Sequence, residues 1–135
     1  MASLARIDTD MSRWPIVVHR TVGSPDDRQV DKFIARAEAV LDRGVPHVVI
    51  FDNLLADLPS PYMRRRSGEW LRVNGERMQG LCLGTALMFR SPALRFVMSG
   101  VMLVASHPTP HAVCGTLDDA LRWAQGQLGA ARATG

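Results

Sequence analysis

The run VPHVVIFDN, residues 45–53, is apolar almost without a break over 45–51 and then turns polar at Asp52 and Asn53. A strand with one wet face alternates polar and apolar residues. A short, near-continuous apolar run instead reads as a strand covered on both faces, and such strands belong to parallel sheets flanked by helices. This stretch therefore predicts an α/β fold, provided that helix signals stand on either side of it.

They do. Upstream, Val30, Phe33, Ile34, Ala37, Val40 and Leu41 recur at spacings of 3 and 4, and Gly44 closes the pattern. Ser24 as N-cap, Pro25 at the first helical position and Asp26 with Asp27 in the first turn place the start of that helix. Before it, residues 3–8 and the β-branched run 14–22 read as a strand pair, with Met11, Ser12 and Arg13 at the turn between them. Downstream, Ser60-Pro61 opens a second helix with Met63, Trp70, Leu71 and Met78 on its inner face, despite Gly68 and Gly75. A buried strand follows over 81–89, and Ser91-Pro92 starts a third helix running to about residue 105. A last strand over 111–115 leads to a fourth helix, 116–128, capped by Thr116, with a frayed tail at 129–135. The expectation is one α/β domain, residues 1–128, with a four- to five-stranded, mainly parallel sheet and about four helices.

Composition narrows the function classes. The chain has 135 residues, 47% of them hydrophobic, enough for one sizeable core. Sixteen basic residues, all but Lys32 being arginine, stand against 13 acidic ones, and a net charge of +3 is too mild to point to nucleic acid. Cys82 and Cys114 lie in apolar stretches outside any metal spacing and read as buried free thiols. The first ten residues lack the apolar core of a signal peptide and no run is long enough to span a membrane, so the cytoplasm is the expected location. No nucleophile elbow, phosphate-binding loop, dinucleotide fingerprint, zinc motif or carboxylate pair occurs, and no metal, cofactor or catalytic role is expected. His19, His47, His107 and His111 read as structural or surface residues, Trp14, Trp70 and Trp123 as core anchors, and the seven methionines as core filling.

In a parallel sheet the segments after the strands gather along one edge, where α/β proteins bind ligands. That edge would collect four helix N-termini, which favour anions. Ser60, Arg64, Arg65, Arg66, Arg90 and Ser91 are the candidate anion contacts. Arginines in a helix's first turn oppose the helix dipole. A bound anion, an ion pair with Asp52 or Asp57, or simple hydration would each compensate them, and the sequence leaves all three open. The third helix is apolar most of the way round: Leu94, Val97, Met98, Val101 and Ala105 make an inner face, while Phe96, Met102, Leu103 and Val104 remain outside it. Phe96, Met102, Leu103 and Val104 are therefore candidates for an interface with a second copy or a partner protein.

The strand-rich start ending in Trp-Pro, the VVIFDN strand end, the Trp70 helix, GTALMFRSPALRFVMSG and the closing TLDDALRWAQ together resemble small bacterial STAS-like domains, a group similar to anti-sigma-factor antagonists and to lipid-binding SEC14 modules. The resemblance implies a STAS-like sheet with helices between its strands and a non-enzymatic role in protein interaction or signalling. It also implies a phosphorylatable serine at the start of the helix after the central strand, for which Ser60 in Asp57-Leu58-Pro59-Ser60 is the nearest counterpart; the usual Asp-Ser-Ser-Gly setting is missing. Two functions follow as expectations: docking to itself or to a protein partner, or binding a small anionic ligand, such as a nucleotide, phosphometabolite or lipid headgroup, at the C-terminal edge of the sheet.

Overall fold

The computed structural model describes residues 4–104 and 108–134, with the backbone alone at 97, 98, 101–104 and 134. Five strands and four helices alternate as the apolar pattern requires: β1 (Arg6–Arg13), β2 (Ile16–Gly23), α1 (Asp27–Asp42), β3 (His47–Ala56), α2 (Pro61–Leu81), β4 (Cys82–Met88), α3 (Pro92–Val104), β5 (His111–Cys114) and α4 (Leu117–Thr134). The strands lie in sequence order, β1 antiparallel to β2 and all later neighbours parallel.

Cover on both faces of the sheet accounts for the near-continuous run in β3. On one face Val48 and Ile50 pack with Ile16, Val18, Ala86 and Met88 under α4. Ala120 and Ala124 let that helix approach closely, and Trp123 lies so close to Gly84 that a Cβ there would fall 2.6 Å from the indole. On the other face Val49 and Phe51 pack against α1 and α2 through Phe33, Ile34, Leu41, Trp70 and Met78. The inner face expected for α2 is the one observed. A clasp ties the two helices: Arg77 donates to Glu38 (3.1 Å) and Asp42 (2.7 Å), and Trp70 Nε1 donates to Glu38 (2.9 Å).

Several boundaries differ from the sequence reading. The hairpin turns at Trp14-Pro15, not at residues 11–13, where a bulge forms and the Ser12 N–H bonds the Asp10 carboxylate (2.8 Å). The cap of α1 is Asp26, not Ser24, because Asp26 and Gln29 form a reciprocal capping box (2.8 and 2.9 Å). Gly44, at φ 65°, takes the left-handed position that ends the helix, as expected. Strand β3 runs on past Asp52 to Ala56 because a bulge lets it keep pairing with β2, Val22 opposite Leu55 and Gly23 opposite Ala56. Helix α4 continues to Thr134, so the segment expected to fray is helical; Ala130, Ala131 and Ala133 are strong helix formers.

One polar group sits deep in the α1 face. His19 is 2% exposed, edge-on to Phe33 (5.0 Å between ring centres) and stacked with Phe51 (5.5 Å). The Thr9 hydroxyl accepts from Arg36 Nε (2.9 Å) and shares a hydrogen bond with His19 Nδ1 (2.9 Å). Burial lowers the His19 pKa from 6.5 to about 4, helped by the nearby charge of Arg36 and by His47. Burial also lowers the pKa of His47. The unfolded chain therefore binds these protons more readily than the folded one, so stability is full above about pH 6.5 and falls as the pH drops toward 4. For His19 alone the loss amounts to roughly 3 kcal/mol. Urea titrations at pH 7 and pH 4.5 should show a smaller acid loss for His19→Gln than for the wild type; equal losses would contradict this origin.

Candidate functional site

Each parallel strand hands over to a helix at the same edge of the sheet. The four helix N-termini there are capped from within: Asp26 bonds the Gln29 N–H (2.8 Å), Ser60 that of Met63 (3.1 Å), Ser91 that of Leu94 (3.2 Å) and Thr116 that of Asp119 (3.1 Å). The Ser60-Pro61 and Ser91-Pro92 starts were legible from sequence, and both serines serve as caps.

The expected cluster of anion contacts is spread out rather than gathered. Arg66 reaches α1 and donates from Nε to Asp31 (3.2 Å), which also accepts from the Tyr62 hydroxyl (2.6 Å). Arg65 lies over the Tyr62 ring at 5.5 Å, and Arg90 is exposed. Arg64 donates to the Pro59 carbonyl (3.2 Å) and alone of the six lines a cleft. Neither aspartate weighed as a counterion pairs with these arginines. Asp52 is buried on the α4 face, where it accepts from Arg20 Nε (2.9 Å) and from the Leu54 N–H (3.1 Å). Asp57 accepts from the Ser24 hydroxyl (3.3 Å). Asp31, which the linear sequence does not bring near the Arg64-Arg65-Arg66 run, is the partner.

Sequence reasoning missed the cleft itself. About 510 Å³ of space opens between the ends of β2, β3 and β4 and the first turns of α2 and α3. Its walls are mostly apolar, from Leu58, Pro59, Met63, Leu87, Phe89 and Leu94. Arg64 and Asp57, both exposed, stand at its rim, and Thr21, Asn53 and Ser67 supply the remaining polar lining. A signal was present in the chain. Thr21 follows His19 on the buried face of β2, Asn53 follows Phe51 on the same face of β3, and Ser67 falls between Met63 and Trp70 on the inner side of α2. Each is a polar residue where the pattern calls for an apolar one. A second cavity, about 40 Å³ beneath His19 and His47, is of the size of a water site.

Of the interface candidates, Phe96 is 83% exposed, and the side chains of Met102, Leu103 and Val104 lie outside the described residues, as does His107. Cys82 is buried and Cys114 half-buried, and burial raises both thiols above their ordinary pKa. Among the described residues no group of three or more His, Cys, Asp or Glu side chains could hold a metal ion, and no helix is long and apolar enough to cross a membrane.

This layout has a solved counterpart in an uncharacterized protein of the DUF3478 family from Shewanella loihica PV-4, described as having a SpoIIAA-like fold: the TM-score is 0.72 over 92% of this chain and 98% of that one. The fold is SpoIIAA-like. At 15% identity the likeness extends to the fold and not to residues, but it agrees with the STAS-like architecture expected from the hydrophobic blocks. No family model matches the sequence, and no curated protein matches it.

The role of Ser60 can be measured directly. Ser60→Ala should cost about 1 kcal/mol of stability by removing the cap, whereas Ser60→Asp, itself a good cap, should stay near wild type. Equal losses in chemical denaturation would show that the hydroxyl does something other than cap.

Proposed function

We propose that this SpoIIAA-like domain is a non-catalytic binding module that holds a small amphipathic molecule in the cleft at the C-terminal edge of its sheet. The observation that carries the reading is the cleft: its volume, about 510 Å³, falls in the range of small-molecule sites, and its walls are apolar with a few polar groups among them. The apolar body of the ligand packs against Leu58, Met63, Leu87 and Leu94. An anionic end, the feature expected from the arginine-rich start of α2, meets Arg64 at the rim, while Arg65, Arg66 and Arg90 stand outside the cleft. A thermal-shift screen of organic monocarboxylates, phosphate esters and neutral aromatic compounds tests this. A ligand at a hundredfold its Kd stabilises the fold by roughly 2.7 kcal/mol. Ser67→Phe, which fills the cleft, should abolish the shift. The absence of any hit, or hits that survive Ser67→Phe, would count against the cleft.

A second reading rests on Phe96, whose ring is 83% exposed on α3 beside the cleft wall formed by Leu94. In this reading α3 docks against a second copy of the chain, and Phe96→Glu converts an oligomer to a folded monomer in light scattering. A wild type that is monomeric at tens of micromolar would remove it.

A further inference from the structure

We propose that the neutral polar lining of the cleft selects ligands carrying a neutral edge with a hydrogen-bond donor and acceptor side by side, such as a primary amide or a lactam, on an apolar body. The proposal rests on the cleft being a ligand site and goes further by assigning the chemistry of its uncharged polar groups. Thr21, Asn53 and Ser67 reach that space from β2, β3 and α2. Their side chains make no hydrogen bond to another described residue, and since no buried side-chain polar atom among the described residues lacks a partner, the Thr21 hydroxyl is open to solvent although the residue is only 7% exposed.

The strand register explains how two of them meet. His19 lies opposite Phe51 across β2 and β3, and Thr21 and Asn53 are the next residues along the same face. A bulge follows Arg20 and Asp52, and beyond His19 and Phe51 that face carries a hydroxyl and an amide. Ser67 approaches from the helix above, a turn beyond Met63. Three polar residues on three largely apolar faces thus converge on one space. Local pattern and fold disagree in this way mainly where a site is built.

The type of each group fixes the type of ligand. An Asn amide and two hydroxyls all offer both a donor and an acceptor, and none carries charge. A carboxylate would accept from the Asn53 N–H and the two hydroxyls but leave the Asn53 carbonyl oxygen without a donor, and an ammonium would leave the Asn53 N–H without an acceptor. A planar edge with N–H and C=O together satisfies Asn53 at both atoms, as asparagine does when it pairs with an adenine edge. Water solvating the open cleft makes the same bonds, so a ligand that displaces it without replacing them loses affinity.

Two probes of nearly equal shape test this: 2-naphthamide, which has donor and acceptor, and 2-acetylnaphthalene, which has the acceptor only. Titrated by NMR shift changes into the full chain, the amide should bind about tenfold more tightly than the ketone, as expected for one or two additional net hydrogen bonds. Asn53→Leu should abolish the difference by weakening the amide, which loses two bonds, more than the ketone, which loses one. Should that variant fail to fold, Thr21→Val is expected to narrow the gap in the same direction. Equal affinities, tighter ketone binding or a preference that survives the folded variant would overturn the assignment. If other compounds bind in a manner sensitive to Ser67→Phe but neither naphthyl probe does, the assignment falls alone; if nothing binds at all, the cleft reading falls with it.

Discussion

Burial of β3 on both faces is the constraint from which the rest of this structure follows. Val48 and Ile50 have no exposure beneath α4, and Val49 and Phe51 face α1 and α2. Each such side chain stabilises the fold by roughly 1.5–3 kcal/mol when removed from water. Cover on both faces requires helical crossovers between parallel strands, and parallel strands all end on one side. The turn from β3 into α2 at Ser60, the turn from β4 into α3 at Ser91, and the cleft between them are therefore products of the same burial that holds the domain together.

Charge plays a different part. The arginines of this rim, conspicuous in the sequence, are largely engaged in holding helices to one another or to their own loops: Arg66 with Asp31, Arg64 with the Pro59 carbonyl, Arg95 with the carbonyls of Phe89 and Arg90. Exposed pairs of this kind contribute little each, with a median of about 0–1 kcal/mol. They matter here because they leave only Arg64 beside the cleft, so that the chemistry of that space is set by its apolar walls and neutral polar lining rather than by a field of positive charge.

The architecture was legible because its signals are local. The apolar run at 45–51, the Ser-Pro helix starts and Gly44 each act within a few residues, and each names the element that forms. What escaped the sequence depends on neighbours across the fold. Asp31 meets Arg66 only because α1 and α2 pack side by side, and Asp52 turns away from the arginines because strand alternation places it on the α4 face with Arg20. The bulges that move the hairpin turn to Trp14-Pro15 and extend β3 to Ala56 belong to the pairing of two strands, not to either strand alone. Thr21, Asn53 and Ser67 were visible as polar residues on largely apolar faces, but their convergence is a property of the register.

The central claim is that the space between α2 and α3 is a binding site and not a packing defect, and crystals of the protein soaked with a library of small aromatic fragments test it most directly. The account predicts fragment density in the cleft, with polar atoms within hydrogen-bond distance of Asn53 and Thr21 and the ring against Met63 and Leu87. Density confined to other surfaces, with the Asn53 amide turned to bond its own chain and the cleft closed by Leu58 and Leu94, would contradict it.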